Sequence, residues 1–181
     1  MEIIRAKHMG FCFGVSGAIE TCYNVLKETE NLGKKIYILG MLVHNEFVVK
    51  KLEKEGFETI EEEDILKKRD KLKSGDIVII RAHGTSEKVY NVLKEKNIKI
   101  YDATCIFVTQ IRKTLIEMEA KGYDILFVGD KEHPEVKGII SFGKNIQVFK
   151  NLEEILKAEI KKDKKYCLLT QTTLNKKILE K

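Results

Sequence analysis

Apolar runs of about four residues recur along the chain, and most end in a polar tip. Ile36–Leu39 breaks at Gly40 and leads to His44-Asn45. Ile77–Ile80 ends in Arg81-Ala82-His83-Gly84-Thr85-Ser86, and Ile98–Tyr101 ends in Asp102-Ala103-Thr104-Cys105. Ile125–Val128 feeds the stretch GDKEHPEVKG at 129–138, and Tyr166–Leu169 ends in Thr170-Gln171-Thr172-Thr173. Short apolar runs bounded by turn residues read as buried strands. Between them the spacing turns helical. Val15, Ala18, Ile19, Cys22, Val25 and Leu26 predict a helix over Val15–Thr29. Phe47, Val48 and Leu52 mark a second helix, and Glu87–Asn97, capped by Thr85 or Ser86, a third. Ile106–Lys121, closed by Gly122, and Leu152–Ile160 complete the set. Weaker signals predict short strands at Ile3–Ala6 and Phe57–Ile60, a helix or loop over Glu61–Lys73, short apolar runs at Ile139–Phe142 and Ile146–Phe149, and a helix beginning at Leu174. Strands alternating with helices predict an α/β fold with a parallel sheet, whose ligands sit beyond the carboxyl ends of the strands.

The pattern also repeats. G-x-x-x-H-x-E occurs at Gly40–Glu46 and again at Gly129–Glu135, so His44 and His133 are 89 residues apart. Val78 and Cys167 are separated by the same 89, which sets His83 opposite Thr172, and Cys12 precedes Cys105 by 93. Two copies of one α/β unit of roughly 90 residues follow, each offering a cysteine and two polar strand tips.

Composition narrows the classes. The 181 residues are 43% hydrophobic and 34% charged, enough for one large or two small cores. No apolar run approaches the roughly 20 residues that span a bilayer, and MEIIRAKHMGFCFGV lacks a signal-peptide plan, which favours the cytoplasm over export or a membrane. The net charge of +5 is spread over interspersed Lys and Glu without interleaved aromatics, against nucleic-acid binding. The four cysteines form no CxxC pair and no HExxH is present, which disfavours a zinc ribbon, a thioredoxin-type site or a zinc hydrolase. Cys22 and Cys167 fall inside elements and read as small buried hydrophobes. Cys12, in Gly-Phe-Cys-Phe-Gly, and Cys105, in Asp-Ala-Thr-Cys, stand at the mouths of elements.

Together the tips hold two thiols, His44, His83 and His133, the carboxylate of Glu135, and the hydroxyls of Thr172 and Thr173. Thiolates select soft metals, including iron–sulfur clusters. Histidines with amides and hydroxyls bind phosphate or diphosphate. An imidazole and a carboxylate flanking Pro134 suit proton delivery. His8 reads as an isolated surface histidine.

GFCFGV, VHNEFVV, RAHGTS, DATC, HPEVKG and TQTTL, in this order and spacing, resemble the 4-hydroxy-3-methylbut-2-enyl diphosphate reductases, the iron–sulfur enzymes that end the non-mevalonate isoprenoid pathway. The resemblance implies three similar α/β domains in a pseudo-threefold arrangement, each giving one cysteine to a central [4Fe-4S] cluster. Cys12 and Cys105 match the first two cluster ligands, His44, His83 and His133 the substrate-binding histidines, Glu135 the proton donor and Thr172 the threonine near the substrate. It implies an allylic diphosphate substrate and an electron donor such as ferredoxin or flavodoxin. Residues 1–102 would form the first domain and 103–181 the second. The 89–93-residue period puts a third cysteine at about 194–198, so a third domain is expected to be absent and the isolated chain inactive. Gly17 stands where the family usually has arginine, Ile106 where proline is usual after the cysteine, and Gln110 and Arg112 where Lys and His are common.

Overall fold

The computed structural model describes residues 2–7, 9–30, 33–67 and 71–175. His8 and positions 176–181 of the expected last helix lie outside them, and Leu174 and Asn175 are not helical. In chain order the elements are α1 (Phe13–Thr29), β1 (Ile36–Leu39), α2 (Glu46–Lys54), β2 (Glu58–Ile60), α3 (Glu62–Leu66), β3 (Ile77–Ile80), α4 (Glu87–Glu95) and β4 (Lys99–Asp102). Then come α5 (Ile106–Ala120), β5 (Tyr123–Val128), α6 (Pro134–Ile140), β6 (Ile146–Phe149), α7 (Leu152–Lys157) and β7 (Lys165–Thr170). They build two parallel sheets, of order β2-β1-β3-β4 and β6-β5-β7. Adding 89 to Ile36, Glu58 and Ile77 reaches 125, 147 and 166, inside β5, β6 and β7, so the repeat read from the motifs extends to the order of the strands.

The central strands of the first sheet, β1 and β3, are apolar at every position because both faces of the sheet are covered, as is β5 from Ile125 onward. In the first sheet Ile36, Ile38, Ile77 and Ile79 pack under α1 and α2 against Ala18, Cys22, Val25, Val48 and Leu52. The alternate residues Tyr37, Leu39, Val78 and Ile80 pack on Ile65 of α3 and on Val89 and Leu93 of α4. The second sheet repeats the plan with Ile125 and Phe127 against Val108, Leu115, Val136 and Ile139, and with Leu126 and Val128 against Ile155. No helix among the described residues is long and apolar enough to cross a membrane.

One expectation is overturned and others are sharpened. Ile3–Ala6 forms no strand: no neighbouring strand offers it a ladder, and Ile3 and Ile4 are 74% and 85% exposed. Ile139–Phe142 is not an independent run. Its first two residues end α6, whose Pro134 at the first helical position has a preset φ and no N–H to leave unpaired. In Glu61–Lys73 only Glu62–Leu66 is helical among the described residues. Thr85 donates its hydroxyl to Glu62 instead of capping α4, and Ser86 holds the cap position without a side-chain bond.

Candidate functional site

Three histidines from three strand tips meet. His44 lies between β1 and α2, His83 between β3 and α4, and His133 caps α6 after β5. The ring centroids of His44 and His83 are 4.4 Å apart, those of His83 and His133 5.8 Å, and those of His44 and His133 6.2 Å. Local bonds fix each tip. Asn45 caps α2 by accepting from the Val48 N–H at 3.1 Å, directly after His44. Around His83, Arg81 donates to Glu62 Oε1 at 2.6 Å and to the Gly84 carbonyl at 3.2 Å, and Thr85 Oγ1 donates to the same Glu62 oxygen at 2.9 Å. His133 Nδ1 accepts from the Glu135 N–H at 3.1 Å, which turns Nε2 outward from the helix. Gly138 lets α6 approach the His83 loop closely, since a Cβ there would stand 3.3 Å from the Thr85 carbonyl oxygen.

The electrostatics follow from crowding. Burial, then the neighbouring His44, His133 and Arg81, push His83 down to about 4, so at neutral pH its imidazole carries no charge. An anion in the cluster would reverse part of that penalty.

Glu135 is the most buried functional group, at 1% exposure. Its Oε1 accepts from the Thr172 N–H at 2.7 Å, and its Oε2 is 2.7 Å from Thr172 Oγ1. The amide can only donate, so Oε1 must accept. The hydroxyl can donate or accept, so a proton on this carboxyl resides on Oε2.

Cys12 caps α1 and Cys105 caps α5, neither with a side-chain capping bond. Cys12 is exposed and Cys105 half-buried. A Cβ on Gly14 would stand 2.7 Å from Cys105 Sγ, which places the second thiol against the first turn of the helix that the first thiol caps. Two soft donors at helix N-termini, where negative charge is favoured, suit a thiolate-bound metal. Among the described residues no three His, Cys, Asp or Glu side chains are grouped so as to hold a metal ion. Cys22 is fully buried in α1 and pushed up to about 12 by burial, which makes it an inert core thiol. Cys167 is half-buried in β7.

Sequence reasoning missed α6, the close approaches at Gly14 and Gly138, and the Glu62 tether of the His83 loop. The glycines in GFCFG and HPEVKG were the available signals.

Three imidazoles clustered at strand tips, a buried carboxyl held by Thr172 and two helix-capping thiols, all on parallel sheets, place the chain among the α/β proteins whose polar groups collect beyond the strand ends. The sequence model of the LytB protein family matches residues 3–181, and the chain belongs to that family. It is 56% identical over 180 residues to the 4-hydroxy-3-methylbut-2-enyl diphosphate reductase of Fusobacterium nucleatum, covering 99% of this chain and 21% of that one. With the reductase of Thermoanaerobacter sp. (strain X514) it shares 42% over 178 residues, 98% of this chain and 59% of the relative. A solved structure of the E-1-hydroxy-2-methyl-but-2-enyl-4-diphosphate reductase of Plasmodium falciparum aligns with a TM-score of 0.85 at 34% identity, covering 96% of this chain and 52% of that chain. The chain thus spans between a fifth and three fifths of the length of these relatives.

Proposed function

We propose that the chain carries the diphosphate-binding and proton-donating part of a 4-hydroxy-3-methylbut-2-enyl diphosphate reductase, with Cys12 and Cys105 as two protein thiolates of an iron–sulfur cluster. The observation that carries this reading is the convergence of His44, His83 and His133 within 4.4–6.2 Å of one another on separate strand tips. Such a cluster recognises a polyanion, and diphosphate is the anion that the relatives' substrate name prescribes.

In this reading the histidines hold the diphosphate, and His83 gains a proton as the anion enters. Glu135 Oε2 carries the proton to be delivered, and Thr172 Oγ1 orients it. An iron–sulfur cluster held by the thiols would supply the two electrons that reductive loss of the allylic hydroxyl requires. Two protons are consumed with them, one leaving with the hydroxyl as water and one ending on carbon, of which Glu135 delivers one and solvent the other. Burial of the Glu135 carboxyl keeps bulk water from exchanging that proton before delivery. Residues 1–102 and 103–181 act as two of three similar domains. The third domain provides the remaining thiolate, a ferredoxin- or flavodoxin-type donor provides the electrons, and the reaction takes place in the cytoplasm.

A second reading is favoured by the incomplete thiol set: the chain on its own binds diphosphates without redox chemistry. One experiment separates the two. The chain is reconstituted anaerobically with iron and sulfide, followed by visible and paramagnetic-resonance spectra, and titrated calorimetrically with the allylic diphosphate. Diphosphate binding that is weakened by His44→Ala, with little cluster signal in the isolated chain and full signal in the complete protein, supports the first reading. Diphosphate binding without a cluster signal in either form leaves only the second. Absence of diphosphate binding overturns both.

A further inference from the structure

Behind the Cys105 turn lies a set of contacts that the histidine site does not use. Asp102 ends β4, three residues before Cys105. Its Oδ1 accepts from the Thr104 N–H at 3.0 Å and also from Thr104 Oγ1. Its Oδ2 accepts from Tyr90 Oη at 2.8 Å and faces Arg112 Nη2 at 3.6 Å. Arg112, on α5, donates through Nη1 to Tyr90 Oη at 3.2 Å. Its guanidinium stacks over the rings of Phe142 and Tyr90, with centroids 4.9 and 5.5 Å away, and those rings meet edge-to-face at 6.0 Å. Beside them the Glu87 N–H donates to Ser141 Oγ at 2.9 Å. Tyr90, Glu87 and Asp102 belong to the elements of the first sheet, Arg112 to α5, and Ser141 and Phe142 to the turn after α6, beside the second sheet.

We infer that Asp102, Tyr90 and Arg112 form a clasp between the two α/β units that positions Cys105, with Asp102 as the link. One carboxylate oxygen closes the turn that ends at the thiol, and the other engages the Tyr90–Arg112–Phe142 stack. Stacking leaves the guanidinium's planar edge free for directional bonds, so its position is fixed by both rings and by the carboxylate. Two further bonds tie the same turn to β3: the Ala103 N–H to the Ile80 carbonyl at 3.1 Å, and the Cys105 N–H to the Ala82 carbonyl at 2.9 Å. The thiol is therefore held from the β3 tip on one side and from the clasp on the other. These are positioning residues. The inference stands on the geometry of the chain and does not require that Cys105 bind a cluster, so it survives or fails independently of the proposed reaction.

The chain supplies its own controls: Cys12 is exposed, Cys105 half-buried and Cys22 fully buried. Each thiol's rate of iodoacetamide alkylation in the metal-free chain is read by peptide mass spectrometry in wild type, Asp102→Asn, Arg112→Ala, Arg112→Lys and Tyr90→Phe. Release of the turn should accelerate Cys105 about fivefold or more over Cys12 in Arg112→Ala and Asp102→Asn, the response to loss of local protection. Cys22 should stay unreactive. Tyr90→Phe keeps the stack and removes one hydroxyl, so its effect should be smaller. Arg112→Lys keeps the charge without the planar fork, so it should restore only part of the protection. An unchanged ratio of Cys105 to Cys12 overturns the inference, and so does acceleration of Cys22 in step with Cys105, which marks general destabilisation. Should Asp102→Asn fail to fold, the Arg112 and Tyr90 variants decide the question.

Discussion

The two repeats carry the same G-x-x-x-H-x-E motif but put its glutamate in opposite environments. In the first unit Asn45 caps α2 and Glu46 is the first helical residue. In the second His133 itself caps α6, Pro134 comes first and Glu135 second. The helix has started one residue earlier relative to the motif, and one residue turns a side chain by about 100° around the axis. Glu46 consequently lies in water beside Lys50 at 3.4 Å, its side chain 81% exposed. Glu135 points inward onto Thr172. Counted from the caps, the buried valines Val48 and Val136 coincide, and the counterpart of Glu135 is Phe47, which is 78% exposed. Motif identity thus makes the histidines counterparts, but the same helix position is exposed in Phe47 and buried in Glu135, so the contact with Thr172 after β7, and not the helix phase alone, takes this carboxyl out of solvent.

The largest expected effect sharpens this contrast. Under the proposed function, Glu135→Gln in the full-length protein should keep substrate binding and lower turnover by roughly a hundredfold, the usual scale for losing a general acid. Glu46→Gln, the same change at the same motif position, should leave kcat within about twofold because an exposed helical ion pair contributes little. Comparable kcat losses in both variants would show that burial is not what separates them.

The parts of this molecule written in local pattern were legible in the sequence. Ile77–Ile80 and Ile36–Leu39 are strands end to end, because strands covered on both faces are apolar at every position. The 89-residue offset carried through to the strand order of the second sheet. The histidines were visible as residues at strand tips, but their 4.4–6.2 Å cluster depends on how α6 meets the His83 loop, a long-range contact that no window of sequence contains. Ile3–Ala6 failed for the converse reason: its apolar residues matched a strand, but no partner strand lies beside it. The clasp was hidden because Tyr90, Asp102, Arg112 and Phe142 come from four separate elements or loops with no shared period.

Next in size is the pair of positions behind the thiols. Gly14 and Phe107 are 93 residues apart, the spacing of Cys12 and Cys105. Gly14→Ala would drive a methyl to 2.7 Å from Cys105 Sγ, whereas Phe107 is 61% exposed. Overpacking of this kind costs about 1–3 kcal/mol, so under the proposed function iron affinity in the full-length protein should fall about tenfold for Gly14→Ala. Phe107→Ala should change it far less. Iron per chain after gel filtration reads both, and equal losses would separate the two helix starts from the repeat.

His83 and Thr172 occupy matching tips, but only His83 titrates in the acidic range. Its folded value of about 4 lies below the ordinary 6.5, so the unfolded chain binds the proton more readily. Its contribution to stability is therefore complete above pH 6.5 and is lost as pH falls toward 4. His83→Asn should flatten that decline by about 1–2 kcal/mol, below the full linkage value because the half-buried ring is partly screened by water. Thr172→Val should leave the slope of stability against pH in this window unchanged. Urea midpoints measured between pH 4 and 7 check both, and a wild-type curve that is flat in this window would remove His83 as its cause.

The smallest effect tests whether α1 and α5 are interchangeable helices apart from their thiol ends. Gly17 lies in the second turn of α1, and 93 residues later α5 carries Gln110, an exposed residue with good helix propensity. Nothing lies within 4 Å of where a Cβ on Gly17 would sit. The bond from Thr21 Oγ1 to the Gly17 carbonyl, at 2.9 Å, involves only the backbone at position 17 and survives substitution. Gly17→Ala should therefore stabilise the chain by about 0.5–1 kcal/mol, mainly by restricting the unfolded backbone. The urea midpoint should rise with an unchanged slope, and Cys12 alkylation should stay at its wild-type rate because the cap lies outside the helix. A lower midpoint would mean that α1 must bend at Gly17 to bring Cys12 toward Cys105. The glycine would then belong to the geometry of the thiol pair, and the equivalence of the two helices would end at their second turn.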